Sequence, residues 1–331
     1  MKITKGLIAA FSAAVAALAA HSSLAEGERI AFFAASSQNG FNQAIYEGVE
    51  ARAMEMGAET AIYDGQFDAE LQYNQIEDVV AGGEFDGFII APNDPIGVAG
   101  AVAQVTSAGF PMATTLFPIG PELDSLEPQV EGLTSTVVSP PSPGAISQAE
   151  YVAEHCADID PCHVVIIIGF KTSPFDNLRL QRYLEVFEQH SNIKVVAEAE
   201  GFYSPDVSLT AMTDILQAND QVDAVISVGD QHLIGAEIAL EAAGFDVPSL
   251  IMVGGGAASI SIEAIREGRW DATLGYFPWS MGYLATEAII TELRGGEAMA
   301  SINMDEFGPL PPMVTMEVLE EHPDFNGEWA Q

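Results

Sequence analysis

IAFFAASSQNGFNQAIYEGVEARAMEMG (Ile30–Gly57) opens as an apolar strand and closes as a helix, with the polar knot SSQNGFN and its Phe41 between them. A strand that turns through polar residues into a helix is the building unit of an α/β fold. A single glycine, Gly40, stands where a P-loop or dinucleotide loop needs several, so the knot is not a phosphate cradle.

The same alternation continues outward from this stretch. Short apolar strands are predicted at Ile30–Ala34, Thr60–Tyr63, Gly87–Ala91 and Met112–Leu116. After the Pro-rich break SPPSPG (Ser139–Gly144) they resume at Val164–Ile168, Val195–Ala199, Ala224–Val228, Leu250–Val253 and Ala272–Tyr276. Helical patterns fill the gaps, among them Leu71–Ala81, Asn177–Gln189, Leu209–Ala218 and Ile260–Glu267. Strands that are continuous Val/Ile/Ala runs belong to parallel sheets covered on both faces. The chain also repeats itself: AIYDGQFDAELQYNQIEDVVAGGEFDGFIIAPND (Ala61–Asp94) parallels AEAEGFYSPDVSLTAMTDILQANDQVDAVISVGD (Ala197–Asp230). One such unit on either side of the Pro-rich break predicts two similar lobes. Ligands of open parallel sheets bind beyond the carboxyl ends of the strands, where this chain mixes polar groups with aromatic rings.

The 331 residues carry 11 basic and 48 acidic side chains, a formal charge of −37. Affinity for nucleic acid needs a positive footprint and is excluded. The acids are dispersed among periodic apolar segments, which reads as a solvated surface and not a disordered tail. Lys2 and Lys5, the uncharged run Gly6–Ala20 and Ser23-Leu24-Ala25 read as a cleavable export signal over residues 1–25, with cleavage near Ala25. The run falls short of the roughly 20 apolar residues of a membrane span. No cysteine follows it to carry a lipid, so stable membrane insertion is not expected. Cys156 and Cys162 in HCADIDPCH (His155–His163) are expected to form a disulfide in an oxidising compartment. A zinc site with His155 and His163 is disfavoured, because adjacent residues point in different directions and tetrahedral ligands must converge. No metal and no cofactor is expected.

IAFFAASSQNGFNQAIYEG, DGFIIAPND, GFPMATTLFP, TSPFDNLRLQRYLEVF, DAVISVGDQHLIGAEIALEAAG and GRWDATLGYFPWSMGYLATEAIITELRGGE follow one another over essentially the whole chain after the signal. In that order and spacing they resemble the periplasmic solute-binding proteins of the ribose-binding type, the type 1 binding proteins of sugar ABC importers. The resemblance implies an α/β fold of two Rossmann-like lobes with parallel sheets flanked by helices, joined by a three-crossing hinge. The N-terminal lobe would take residues 26–138 and 277–308 and the C-terminal lobe 139–276 and 309–331, one binding-protein domain spanning about 29–300. Crossings are placed near Val138–Pro140, Tyr276–Phe277 and Gly308–Pro312. It further implies a periplasmic monomer that captures a small solute in the interlobe cleft, closes by hinge motion and meets an ABC permease. The alternatives are a ligand-sensing adaptor for a receptor kinase ectodomain, or import of a non-sugar solute such as a quaternary amine or an aromatic compound.

Carried over position by position, the ligand loops contain Gln38, Asn39, Phe41, Asn42, Asn93, Phe117, Arg179, Tyr203, Asp230, Gly256 and Tyr276. Phe41 would pack on the solute, with Asn39 or Asn42 bonding it. Several of these depart from the sugar pattern. Leu116-Phe117 stand where an Asp-Arg pair is usual, Gly256 where an Asp is usual, Gly229 for an Asn and Tyr276 for a Gln. The expected pocket is therefore more aromatic and less polar than a pentose or hexose site. Ordinary readings stand beside these: Asp230 as ligand contact or helix cap, and Arg179 as pocket contact or solvated side chain. Phe170 is taken as core, Trp279 as lobe packing, and His232 as packing or surface. The motifs G-x-S-x-G and H-E-x-x-H are absent, as is a Cys-His nucleophile pair, so an enzyme is not expected.

Overall fold

Residues 27–330 are described by the computed structural model; the predicted export signal lies outside them. The first sheet holds β1 (Arg29–Ala34), β2 (Glu59–Asp64), β3 (Gly87–Ile90), β4 (Met112–Leu116), β5 (Ser135–Val138) and β11 (Ser301–Asn303), in the order β11-β5-β4-β3-β1-β2. The second holds β6 (Cys162–Ile168), β7 (Ile193–Glu200), β8 (Ala224–Ser227), β9 (Ile251–Gly255), β10 (Ala272–Leu274) and β12 (Met313–Thr315), in the order β12-β10-β9-β8-β6-β7. Both sheets share one winding, 5-4-3-1-2 against 10-9-8-6-7. All pairings are parallel except β10 with β12. The strand order reverses between β1 and β3 and between β6 and β8, the place where doubly wound sheets open a crevice.

The helices are α1 (Gly40–Met56), α2 (Ala69–Gly82), α3 (Ala99–Ser107), α4 (Pro141–His155), α5 (Pro174–Phe187), α6 (Pro205–Ala218), α7 (Asp230–Ala242), α8 (Ser259–Arg266), α9 (Pro278–Leu293), α10 (Met304–Phe307) and α11 (Met316–Glu321). Helices on both faces explain why β3, β5 and β8 are buried at every position. The chain passes from the first sheet to the second after β5, returns after β10 to α9 and β11, and leaves again for β12. Among the described residues, no helix is long and apolar enough to cross a membrane.

Two features fix the frame of the first lobe. Helices α1 and α9 approach until backbones touch: a Cβ at Gly282 would lie 1.9 Å from the Ile45 carbonyl oxygen, and one at Gly48 2.0 Å from that of Trp279. Gln72, on α2 and buried, donates its amide to the carbonyls of Phe33, Ala34 and Ala91 and accepts from the Asn93 amide, tying the ends of β1 and β3 together. In the second lobe, Cys156 at the end of α4 and Cys162 at the start of β6 are joined by a disulfide. His163 binds Asp223 and His155 the Tyr151 carbonyl.

Candidate interlobe binding site

A cavity of about 560 Å³ lies between the two sheets at the carboxyl ends of their strands. Of the eleven residues singled out in the sequence, nine line it: Asn39, Phe41, Asn42, Asn93, Phe117, Arg179, Tyr203, Gly256 and Tyr276. Gln38 and Asp230 do not.

The polar knot builds the first wall by bonding to itself. Asn39 caps α1, its Oδ1 accepting from the amides of Phe41 (3.1 Å) and Asn42 (3.3 Å). Asn42 Oδ1 accepts from the Ala35 amide at 3.0 Å and its Nδ2 donates to Asn39 Oδ1 at 3.3 Å, so this buried amide is occupied in holding the loop. Gln38 is exposed and donates to Ser37 Oγ at 3.2 Å, away from the cavity. Asn93 donates to the Ala35 carbonyl at 3.1 Å, which leaves its side-chain oxygen as the group that can accept.

The opposite wall is a buried polar cluster on the second lobe. Arg179 is 3% exposed; it donates to Asp176, to Tyr203 Oη (2.7 Å) and to the Val228 carbonyl (3.1 Å). Asp176 also accepts from Tyr203 Oη (2.7 Å) and from the Phe170 amide (2.8 Å). The guanidinium lies 4.5 Å over the Phe175 ring. Burial holds the phenols of Tyr203 and Tyr276 above their ordinary range, so both stay neutral. Arg179 Nε and Tyr276 Oη have no hydrogen-bond partner among the described residues. Both belong to residues that line the cavity, and a buried polar atom without a partner carries a desolvation cost.

Aromatic rings close the cleft. Phe67 of the first lobe lies 5.5 Å from Phe170 and is stacked 6.3 Å from Tyr203, both of the second lobe; Phe117 meets Phe175. Phe170 therefore faces the cavity and is not a core residue, because the cleft, and not the sheet, lies beyond the end of β6. Phe67 and Trp329 line the cavity and carried no signal of their own in the sequence reading. Phe67 was within reach through the internal repeat, in which Gly65-Gln66-Phe67-Asp68 aligns with Gly201-Phe202-Tyr203-Ser204. Both turns hold two left-handed residues, with φ between 50° and 55°, before an N-capping Asp68 or Ser204. Among the described residues, the other non-glycine residues in this conformation are Leu116 and Ala257, also at strand ends.

Asp230 faces away from the cleft. Its carboxylate accepts from the Ala258 amide (2.9 Å), Ser261 Oγ (2.8 Å) and Thr273 Oγ1 (2.8 Å), tying the start of α7 to α8 and β10. It does not line the cavity and makes no capping bond to α7; its carboxylate is taken up by three donors inside the lobe. His232 is fully buried, not at the surface. Its Nε2 accepts from the Tyr203 amide at 2.9 Å, which leaves the proton on Nδ1, 2.8 Å from Ser227 Oγ.

These two groups make opposite contributions to acid stability. Burial pushes Asp230 up to about 6, so its folded-state preference for the neutral acid adds stability as pH falls from about 6 to 4 and loses it on the way back. Burial, helped by the charge of Arg179, pulls His232 down to about 3, so stability is lost as pH falls from about 6.5 toward 3. Each slope is about 1.4 kcal/mol per pH unit, and between pH 6 and 4 they cancel. Relative to the wild type, urea midpoints taken across that range should therefore rise on acidification in His232→Gln and fall in Asp230→Asn. Curves parallel to the wild type in both variants would contradict the assignment.

The sequence profile described as "Periplasmic binding protein domain" matches residues 30–297. The ribose import binding protein of Bacillus subtilis is 24% identical over 265 residues, covering 80% of this chain and 81% of that protein. The D-apiose import binding protein of Actinobacillus succinogenes is 28% identical over 244 residues, 74% of each. The crystal structure of a galactofuranose binding protein superposes with a TM-score of 0.79 at 18% identity, covering 90% of this chain and 98% of that one. At that identity the last likeness speaks to the fold.

Proposed function

Because this chain belongs to the family of periplasmic binding protein domains, we propose that it captures a small, mostly neutral, sugar-like solute between its lobes for the permease of an ABC importer in the periplasm. The observation that carries the reading is the cavity itself, an aromatic-lined space with a few polar atoms left to converge on a ligand. Relatives named for ribose and D-apiose place small sugars within the family's range. Phe117 and Tyr276 suit the C–H face of a sugar, while Arg179, Tyr276, Asn39 and Asn93 supply its hydroxyl partners. A quaternary amine fits less well: Asp230 is spent inside the lobe, and of the carboxylates on the cavity wall Asp176 is paired with Arg179, Asp68 caps α2 and Asp94 accepts from the Ile96 and Gly97 amides. A phosphorylated ligand would find one guanidinium on the cavity wall, already paired with Asp176. Among the described residues, the cavity lining holds no histidine and no cysteine, and the Ser227–His232 pair is buried away from it, which supports binding over catalysis.

The reading is tested by calorimetry against pentoses, hexoses, deoxy sugars, polyols and betaines. Binding of a sugar-like member should weaken by about 1–3 kcal/mol in Tyr276→Ala, as for a buried aromatic anchor. Tight binding of ribose or glucose that neither Tyr276→Ala nor Phe117→Ala disturbs would sink both the pocket and the ligand class.

A further inference from the structure

We propose that residues 325–330 are a strap between the two lobes and that its Trp329 is the residue that makes the ligand site select against a hydroxyl on one side. The inference rests on the reading of the cavity as the ligand site.

The strap is anchored on both lobes. On the second, Arg266 donates to the carbonyls of Phe325 (2.7 Å) and Pro323 (3.0 Å) and to Asn326 Oδ1 (2.9 Å), and the Ser259 amide donates to the Trp329 carbonyl at 2.9 Å. On the first, the Glu328 carboxylate accepts from the amide (3.0 Å) and hydroxyl of Ser280, at the start of α9. Negative charge is favoured there by the helix dipole. Trp329 sits between these anchors, 5% exposed, with its ring edge-on to Phe41 of the first lobe at 5.5 Å.

The loops it passes are shaped to admit it. A Cβ at Gly256 would lie 2.7 Å from Trp329 Cζ2, and one at Gly40 2.3 Å from the Ala330 carbonyl oxygen. The indole fills the side of the cavity that Gly256 leaves open. Its single donor, Nε1, is already bonded to the Gly256 carbonyl at 2.6 Å. With that donor taken, what the indole offers the cavity is carbon. A ligand hydroxyl turned toward this wall would leave water and find no partner, whereas a methyl, methylene or ring C–H face meets a matching surface.

Two measurements test the proposal. The first is calorimetry with sugar pairs that differ by one hydroxyl: D-fucose with D-galactose, L-rhamnose with L-mannose, and 2-deoxyribose with ribose. The wild type should favour the deoxy member of the pair it binds by about tenfold or more. Trp329→Ala should erase most of that preference, and Trp329→Phe, which keeps an apolar ring, should retain it. A preference that survives Trp329→Ala unchanged overturns the selective role.

The second measurement needs no sugar. The wild-type minus Trp329→Phe difference emission isolates Trp329, and it should be blue-shifted and resist acrylamide until Glu328→Ala loosens the strap. Difference emission like that of indole in water overturns the strap, and with it the proposal. A protein that binds no sugar of the panel removes the proposed ligand class and the hydroxyl selection built on it; a protected Trp329 in that case supports the strap alone.

Discussion

Arg179→Met is expected to lower the unfolding free energy by about 3–5 kcal/mol, the usual consequence of removing one partner from a buried ion pair. Asp176 and Arg179 are 1% and 3% exposed, and Asp176 receives its remaining bonds from the neutral donors Tyr203 and Phe170. Without the guanidinium, a carboxylate is left in the interior with no countercharge. The Val228 carbonyl loses its donor as well. Urea denaturation at neutral pH measures the loss. Adding Asp176→Asn to Arg179→Met should recover part of it, because the orphaned charge disappears with the second substitution. A loss below about 1 kcal/mol would mean that water reaches Asp176 and screens it, and the cluster would no longer be a fixed wall of the cavity.

Gly282→Val is expected to destabilise by about 3 kcal/mol or more, at the upper end of overpacking. The atoms that a side chain would meet are backbone: the Ile45 carbonyl oxygen at 1.9 Å, its carbon at 2.9 Å and the Val49 nitrogen at 3.0 Å. Rotamer changes cannot relieve a clash with backbone, so α1 and α9 must move apart. Because α1 begins at the cavity wall with Gly40 and Phe41, the displacement should also reduce the proposed solute binding in whatever fraction stays folded. A melting temperature within two or three degrees of the wild type would show that the helices separate at little cost, since about 1 kcal/mol moves a chain of this size by that much.

The fold was legible in the sequence because its long strands are uninterrupted apolar runs, buried from both sides. β11 and β12 were not, since three residues each carry no period to read. β5 begins with Ser135 and Thr136, both fully buried, and so lacks the apolar signature of its neighbours. Much of the site was legible for a topological reason: residues after strand ends must face the crevice. The same rule misplaced Asp230, because a polar residue after a strand can turn inward when three donors wait there, and those donors come from residues 28 to 43 positions away. Trp329 lies 73 residues from the carbonyl it binds and follows no strand, so periodicity could not reach it.

The paired left-handed residues at Gln66-Phe67 and Phe202-Tyr203 have a consequence for how this protein can change. Holding an L-residue in that conformation costs roughly 1–2 kcal/mol, and glycine escapes the cost. Drift toward glycine at the exposed Phe67 would relax its turn while removing the ring that meets Tyr203 across the cleft. Heat tolerance and solute capture thus pull in opposite directions at the same codon. Selection for thermal survival alone would favour glycine at Phe67 and thin the aromatic wall of the cleft, while the two sheets stayed intact.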